Sequence, residues 1–258
     1  MKNAFILARK DFMSYFNSWT GALIAAFFLL ISGIFFSVLV LSYAKISLNA
    51  ARNAYEGVQG LGLTRFVFSS FFLNMGAVLI FLVPFLSMRS FAEERKQETL
   101  ELLYTYPLSD FEIVWGKFLG LVWFFEALLL PTLVYFFLAY VLGGKLDWGP
   151  VLMGYLGFWF LSNAYFALGL FVSSITSSPV LSAIVSFAFL VIFWVLDWIT
   201  GIADGKVAQF LAALSPLDHY QEFALGVLDL SNVMYFIFFN LFFLFLTLRS
   251  IETRNWKG

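Results

Sequence analysis

The chain has 258 residues, 62% hydrophobic and 12% charged, with a mean hydropathy of +0.89, a composition that excludes an ordinary soluble domain. A formal charge of −1 and a pI near 5.8 offer nothing for a nucleic-acid backbone to hold, and the absence of cysteine excludes disulfides and thiolate metal sites. The expected fold class is an all-α integral membrane protein, built as a single transmembrane domain over residues 1–258.

Residues 1–18 come first. The stretch "FILARKDFMSYFN" places Phe5, Phe12, Met13 and Phe16 on one helical face and Lys10, Ser14 and Asn17 on the opposite one. This predicts a helix lying in the membrane interface, with Arg9 and Lys10 reaching toward headgroups. It reads either as a lipid-anchoring ramp or as a shoulder for a partner. Lys2, Arg9 and Lys10 followed by an apolar run ending in Ser42-Tyr43-Ala44 imitate a signal peptide. The run is too long for a signal-peptide core, so it is read as an uncleaved first span.

A helix needs about 20 apolar residues to cross a bilayer, and six segments meet that length: roughly 20–43, 66–88, 112–142, 150–175, 179–200 and 231–249. The third is long and interrupted by Glu126 and Pro131. Trp19, Trp115 and Trp256 fall at one set of span ends and Trp148 and Trp198 at the other, as an aromatic belt would. Ten basic residues flank the side shared by the termini (Lys2, Arg9, Lys10, Arg89, Arg95, Lys96, Lys117, Arg249, Arg254, Lys257), against five on the other (Lys45, Arg52, Arg65, Lys145, Lys206). Both termini are therefore expected in the cytoplasm.

Between the second and third spans lies a dense polar island. The window from Arg89 to Lys117 holds ten of the chain's 31 charges. From Glu93 to Tyr106 every residue tolerates a helix, and Glu94, Glu98 and Glu101 recur at i, i+4 and i+7 as one acidic stripe, with Arg95 and Lys96 placed to pair with Glu98 and Glu93. Pro107 then ends the helix. Ser109-Asp110-Phe111-Glu112 reads as a capping box for the third span, and Gly116 and Gly120, flanking Lys117, permit close helix approach. The residues predict a short charged helix over 93–106, either a solvated elbow or a docking element. Past the fifth span, Val207, Phe210, Leu211 and Leu214 form an apolar stripe; Ser215 and Pro216 suit a helix start, and Gly226 a helix end. These signals suit short helices within 203–230.

The stretch "EERKQETLELLYTYPLSDFEIVWGKFLG" resembles the signature of type-2 ABC-transporter permeases: an acidic-basic pair, Thr99-Leu100-Glu101, Leu103, Pro107 and Gly116-Lys117 in this order. "LSPLDHYQEFALGVLDLSNVMYF" and "LTLRSIETRNW" resemble the branch that includes the gliding-motility permease subunit GldF and the NosY-type maturation permease. The similarity runs along essentially the whole chain. It implies a half-transporter in the bacterial inner membrane that pairs with a second permease copy, identical or different, and with two copies of a separate ATP-binding subunit. That subunit would carry the ATP and magnesium, this chain binding neither directly. Residues 93–106 would be the coupling helix, with Glu93, Glu94, Arg95, Glu98, Thr99, Leu100, Glu101, Leu103 and Pro107 meeting the ATPase. The cargo would be hydrophobic, lipid-linked or a peptide. The alternative is a non-transporting anchor that couples an ATPase to envelope machinery such as gliding motility.

Other chemistries lack their residues. No glycine-rich phosphate cradle followed by Lys and Ser or Thr occurs, so the chain is not expected to hydrolyse ATP itself. A single histidine, His219, excludes a His-Glu-x-x-His metalloprotease, and no metal site is expected. Glu93-Glu94 imitates prenyl-endopeptidase-like enzymes, but Glu98 stands where that motif needs a basic residue. Glu126 costs on the order of 3 kcal/mol near mid-bilayer and is read as a polar contact between helices. Two expectations concern the interfaces. Reversing Glu94 and Glu98 to lysine should spare the bundle. The resemblance further implies that the short helices within 203–230 lie on the outer face and that spans one and five face each other across a dimer axis, which would bring the small residues Ala22, Ala26 and Gly33 of span one and Ser182 and Ser186 of span five together, close enough for a cysteine pair at Ala26 and Ser186 to crosslink.

Overall fold

A computed structural model describes residues 2–52, 62–99, 107–141, 147–200, 202 and 205–255. Helix α1 (Lys2–Phe16) precedes six helices long and apolar enough to cross a bilayer: α2 (Trp19–Arg52), α3 (Thr64–Lys96), α4 (Asp110–Val141), α5 (Trp148–Ile175), α6 (Pro179–Thr200) and α9 (Leu230–Asn255). Two shorter helices, α7 (Gly205–Leu214) and α8 (Pro216–Ala224), fall between the fifth and sixth spans. No strand occurs among the described residues, and the chain is an all-α, multi-pass membrane protein. Alternating crossings leave α1 and the end of α9 at one end of the bundle and α7 and α8 at the other.

The central helix is α5, with α3, α4, α6 and α9 packed around it and α2 on the rim against α3. Lipid provides no hydrophobic drive between helices, so close backbone approach and a few polar contacts hold the bundle. Small residues on α5 supply the approach: a Cβ at Gly154 would lie 2.3 Å from the Phe72 ring, and one at Gly169 2.3 Å from Ser87 Oγ. The polar contacts are Ser32 Oγ to Tyr135 OH (2.8 Å), Thr132 Oγ1 to Tyr155 OH (2.7 Å), and the Trp159 indole N–H donating to Glu126 Oε1 (2.6 Å). Glu126 thus joins α4 to α5. Five residues on, the missing amide of Pro131 breaks α4 into a 3-10 turn over Leu130–Leu133.

At the far end, Ser215 Oγ accepts from Asp218 N and Pro216 occupies the first turn of α8. After α8, Gly226 turns the chain at φ +87°. α8 sinks into the bundle, with Tyr220 and Phe223 fully buried against α5. On α7, Phe210 and Leu214 stay exposed while Leu211 is half-buried. Of the tryptophans, Trp19, Trp148 and Trp198 are exposed at span ends and Trp115 is half-buried; Trp256 lies outside the described residues.

Two expectations are corrected here. Of the separate helix expected over 93–106, residues 93–99 are described, and there the chain continues α3 and its helix stops at Lys96. Its end is a Schellman cap: Thr99 N donates to Glu94 O (2.9 Å) and Glu98 N to Arg95 O (3.1 Å), with Glu98 in the left-handed conformation at φ +57°. Glycine usually marks that position, so a glutamate there gave no stop signal. Leu100, Glu101, Leu103 and the rest of 100–106 lie outside the described residues. The second correction concerns α6, where Ser182, Ser186 and Leu190 form the stripe that faces this chain's own bundle and Val180, Ile184 and Ile192 point outward. On α2, Ala22 and Ala26 are exposed and Gly33 is half-buried beside the Tyr135 hydroxyl. Ser186 is therefore not available to a cysteine partner at Ala26 on another copy. Serines four apart mark a packing stripe but do not say which neighbour it packs on.

Candidate functional site: a buried charge cluster at the α1 end

The site begins with two glycines. A Cβ at Gly116 would lie 2.9 Å from Ala4 O and 3.0 Å from Leu7 Cβ, and one at Gly120 2.9 Å from Asp11 Cβ. Side chains at these positions would push α1 away, so their absence seats α1 directly on α4, with Ala4, Leu7, Ala8 and Tyr15 buried. The face that sequence periodicity pointed to, Phe5, Met13 and Phe16, remains exposed to lipid, and Phe12 is half-buried. α1 therefore has two apolar faces, and the bundle-facing one carries Asp11.

Between the glycines, Lys117 is 1% exposed. Its ammonium lies 2.6 Å from Glu94 Oε2, 3.6 Å from Asp11 Oδ2 and 5.2 Å from the centre of the Phe91 ring. Lys10 adds an outer cation 3.6 Å from Glu94. Next to them, Arg89 donates to Ser18 Oγ (2.6 Å) and Thr20 Oγ1, pairs with Glu93 Oε2 (2.7 Å) and lies over the Tyr15 ring. The Tyr15 hydroxyl donates to Leu86 O (3.2 Å). A polar cleft of about 270 Å³ opens over this cluster. Three cations and three carboxylates thus bind α1, α3 and the start of α4 into one unit.

The α4 start itself is closed by a capping box, with Ser109 Oγ accepting from Glu112 N (3.3 Å) and Glu112 Oε2 accepting from Ser109 N (3.4 Å). The other half of the site is the π-helical turn Arg89–Glu93 within α3. Ser173 Oγ of α5 accepts from both Phe91 N and Ala92 N at 3.1 Å. Arg95 donates to Ser174 O (2.8 Å) and Thr176 O (2.5 Å), carbonyls at the C-terminus of α5, where the helix supplies no further amides.

The island that sequence pattern read as one outward stripe is thus divided. Glu93, Glu94, Arg95 and Lys117 turn into the protein, while Gln97, Glu98, Thr99 and Pro107 are exposed. The pairs expected for Arg95 with Glu98 and Lys96 with Glu93 give way to Arg95 with α5 and Arg89 with Glu93. Reversing Glu94 would place a second ammonium against the buried Lys117, so the expectation that it spares the bundle is also corrected. Asp11, Tyr15, Arg89 and Ser173 were missed because the contacts that tie them to another helix, Asp11 to Lys117, Tyr15 to Leu86, Arg89 to Ser18 and Ser173 to Phe91, join residues more than 70 apart in sequence.

Two carboxylates share one buried ammonium, and Glu94 holds the nearer position. Burial pushes the Asp11 carboxyl above its ordinary range; the Lys117 charge opposes this and Glu94 adds to it. The folded protein then keeps the Asp11 proton longer than the unfolded chain. Its stabilising contribution is full below the ordinary carboxylate range, about pH 4, and is lost as pH rises through the folded value. Asp11→Asn should flatten that decline, so thermal melts of the purified protein at about pH 4 to 7 should show the variant gaining on the native chain as pH rises. A variant that loses ground over the same range would mean that attraction to Lys117 outweighs burial.

Among the described residues no cluster of histidine, aspartate and glutamate could hold a metal ion. His219 stacks on Tyr235 at 3.9 Å and its Nδ1 meets Asn232 Oδ1 at 2.6 Å, which joins α8 to α9. No curated protein matches the chain at a significant level. The sequence profile described as ABC-2 family transporter protein matches residues 5–250, which take in most of α1, the first five spans, nearly all of the sixth and the charge cluster. This chain therefore belongs to the ABC-2 family of transporter proteins and is the membrane subunit of an ABC transporter.

Proposed function

We propose that the chain is the permease half of an ATP-driven exporter of a hydrophobic, lipid-linked or peptide cargo in the bacterial inner membrane, with both termini cytoplasmic and the α1 end facing its motor. The observation that carries this reading is the family match over residues 5–250. The ten-to-five excess of basic residues at the α1 end supports the orientation. Two ATP-binding subunits dock on that end, each meeting Glu98, Thr99 and the chain from 100 to Pro107. Glu93, Glu94 and Arg95 act behind this contact, inside the protein.

Two permease copies meet through the outward apolar faces of α2, α3 and α6. Phe81, Phe85, Ile184 and Phe187 surround an apolar groove of about 400 Å³ between α3 and α6. ATP draws the motors together, and the path between the copies opens. The membrane subunit itself contributes no phosphate cradle to the chemistry.

Purification of the tagged chain from its native membranes tests the reading. A stoichiometric partner bearing the glycine-rich phosphate-binding motif and vanadate-sensitive ATPase activity is expected; permease alone, after mild and stringent detergent alike, would overturn it. In the cysteine-free background, Cys at Ala26 with Cys at Ile184 is the crosslinking pair to use, since both side chains point outward. A band at twice the monomer mass is expected, and a monomer band alone would remove this interface.

A further inference from the structure

Glu94 and Arg95 are consecutive on a helix, about 100° apart around its axis, and they grip different parts of the protein. Glu94 holds Lys117 on α4 and, through the same ammonium, Asp11 on α1. Arg95 holds Ser174 O and Thr176 O, the last carbonyls before the turn into α6. Ser173 adds a second tie, accepting from two amides of the π-helical turn just behind the pair. α6 starts at Pro179, three residues after Thr176, so little chain separates the Arg95 grip from the span whose outward face borders the groove with α3.

We infer that Glu94 and Arg95 form a two-pronged fork that divides a displacement of the following segment between two bodies: α1 with α4 through Glu94, and the α5–α6 turn through Arg95. Neither residue touches the motor. Both are positioning residues, and the inference rests on the permease reading above for the source of the push. The π-helical turn provides the mechanical reason the prongs can act together. Ser173 Oγ accepts from two successive amides of that turn, Phe91 N and Ala92 N, so the end of α3 and the end of α5 move as one piece. Arg95 adds a planar guanidinium that spans two carbonyls, which the single ammonium of a lysine cannot reproduce in the same geometry.

Hydrogen exchange in nanodiscs tests the fork in two stages, with Arg95→Gln, Arg95→Lys and Glu94→Gln beside the native chain. In the chain alone, Arg95→Gln should speed exchange of the Thr176 amide, which donates to Val172 O (3.2 Å) where the turn begins, about tenfold, with Arg95→Lys intermediate and α1 unchanged. Unaltered exchange at the turn would overturn the grip whatever the motor does. In the complex with the copurified ATP-binding subunit, vanadate trapping should alter exchange at both α1 and the turn in the native chain. Arg95→Gln should silence the turn alone and Glu94→Gln should silence α1 alone, with capture of the ATP-binding subunit undiminished. Responses persisting at both places in both variants would overturn the fork, as would loss of ATP-binding subunit capture, which would put these side chains in the docking surface. A general loss of stability moves both places together and cannot produce the crossed pattern. If the native chain captures no ATP-binding subunit, the permease reading fails, and the first stage still decides whether the grip exists.

Discussion

Lys117→Met lowers the melting temperature of the detergent-purified chain by an amount equivalent to about 3 kcal/mol, because a side chain of similar length replaces the buried Lys117 cation and leaves Glu94 and Asp11 facing each other. Lys10 is nearby, at 3.6 Å from Glu94, but it is largely exposed and can compensate only in part. The ion cluster is costly to break and cheap to replace as a whole. The triple variant Asp11→Asn, Glu94→Leu, Lys117→Met should therefore recover most of the loss, since exchanging a buried ionic set for an apolar one of similar volume is often neutral or stabilising. Glu94→Lys should cost at least as much as Lys117→Met, whereas Glu98→Lys, exposed past the helix end, should stay within about 0.5 kcal/mol of the native chain. Equal melting temperatures for Glu94→Lys and Glu98→Lys would show that the cluster carries no stability.

Gly157→Val expels α8 from the bundle. A Cβ at Gly157 would stand 2.2 Å from Phe223 Cβ and 3.3 Å from Tyr220 Cδ2, and neither ring can retreat because each is fully buried. Two further methyl groups on valine enlarge the overlap, so the least costly relief is for the nine-residue α8 to lift out and expose its aromatic face. The cysteine-free chain makes this directly visible. Ala224→Cys places a small thiol at a position 1% exposed, which a membrane-impermeant maleimide should not reach in the native background. Adding Gly157→Val should raise its labelling rate by about tenfold or more. Labelling that stays slow would mean that α5 shifts instead and α8 holds its place.

Six spans, their approximate limits, the α4 capping box and the Pro131 break were legible in the sequence, because each depends on a run of neighbouring residues: an apolar stretch of bilayer length, a hydroxyl three residues before a carboxylate, a missing amide. The acidic stripe was not, and the reason is the same locality. Periodicity over 93–106 assigned Glu94, Arg95 and Glu98 to one helix and one purpose, but the helix stops at Lys96 through backbone hydrogen bonds that no glycine announces. Family resemblance pointed to the segment without telling its inward charges from its outward ones.

Composition by itself determined that this protein lives in a membrane, since no arrangement of so few charges and so many apolar side chains can be wetted. Tertiary structure alone decided which of those few charges are spent inside. Lys117 finds Asp11 and Glu94 from 106 and 23 residues away, and Arg95 finds the end of α5 some 80 residues on. Such pairings follow from helix packing, in which Gly116 and Gly120 admit α1 and Ser173 meets two amides of α3, and the energy that rewards them exists only once the helices have come together.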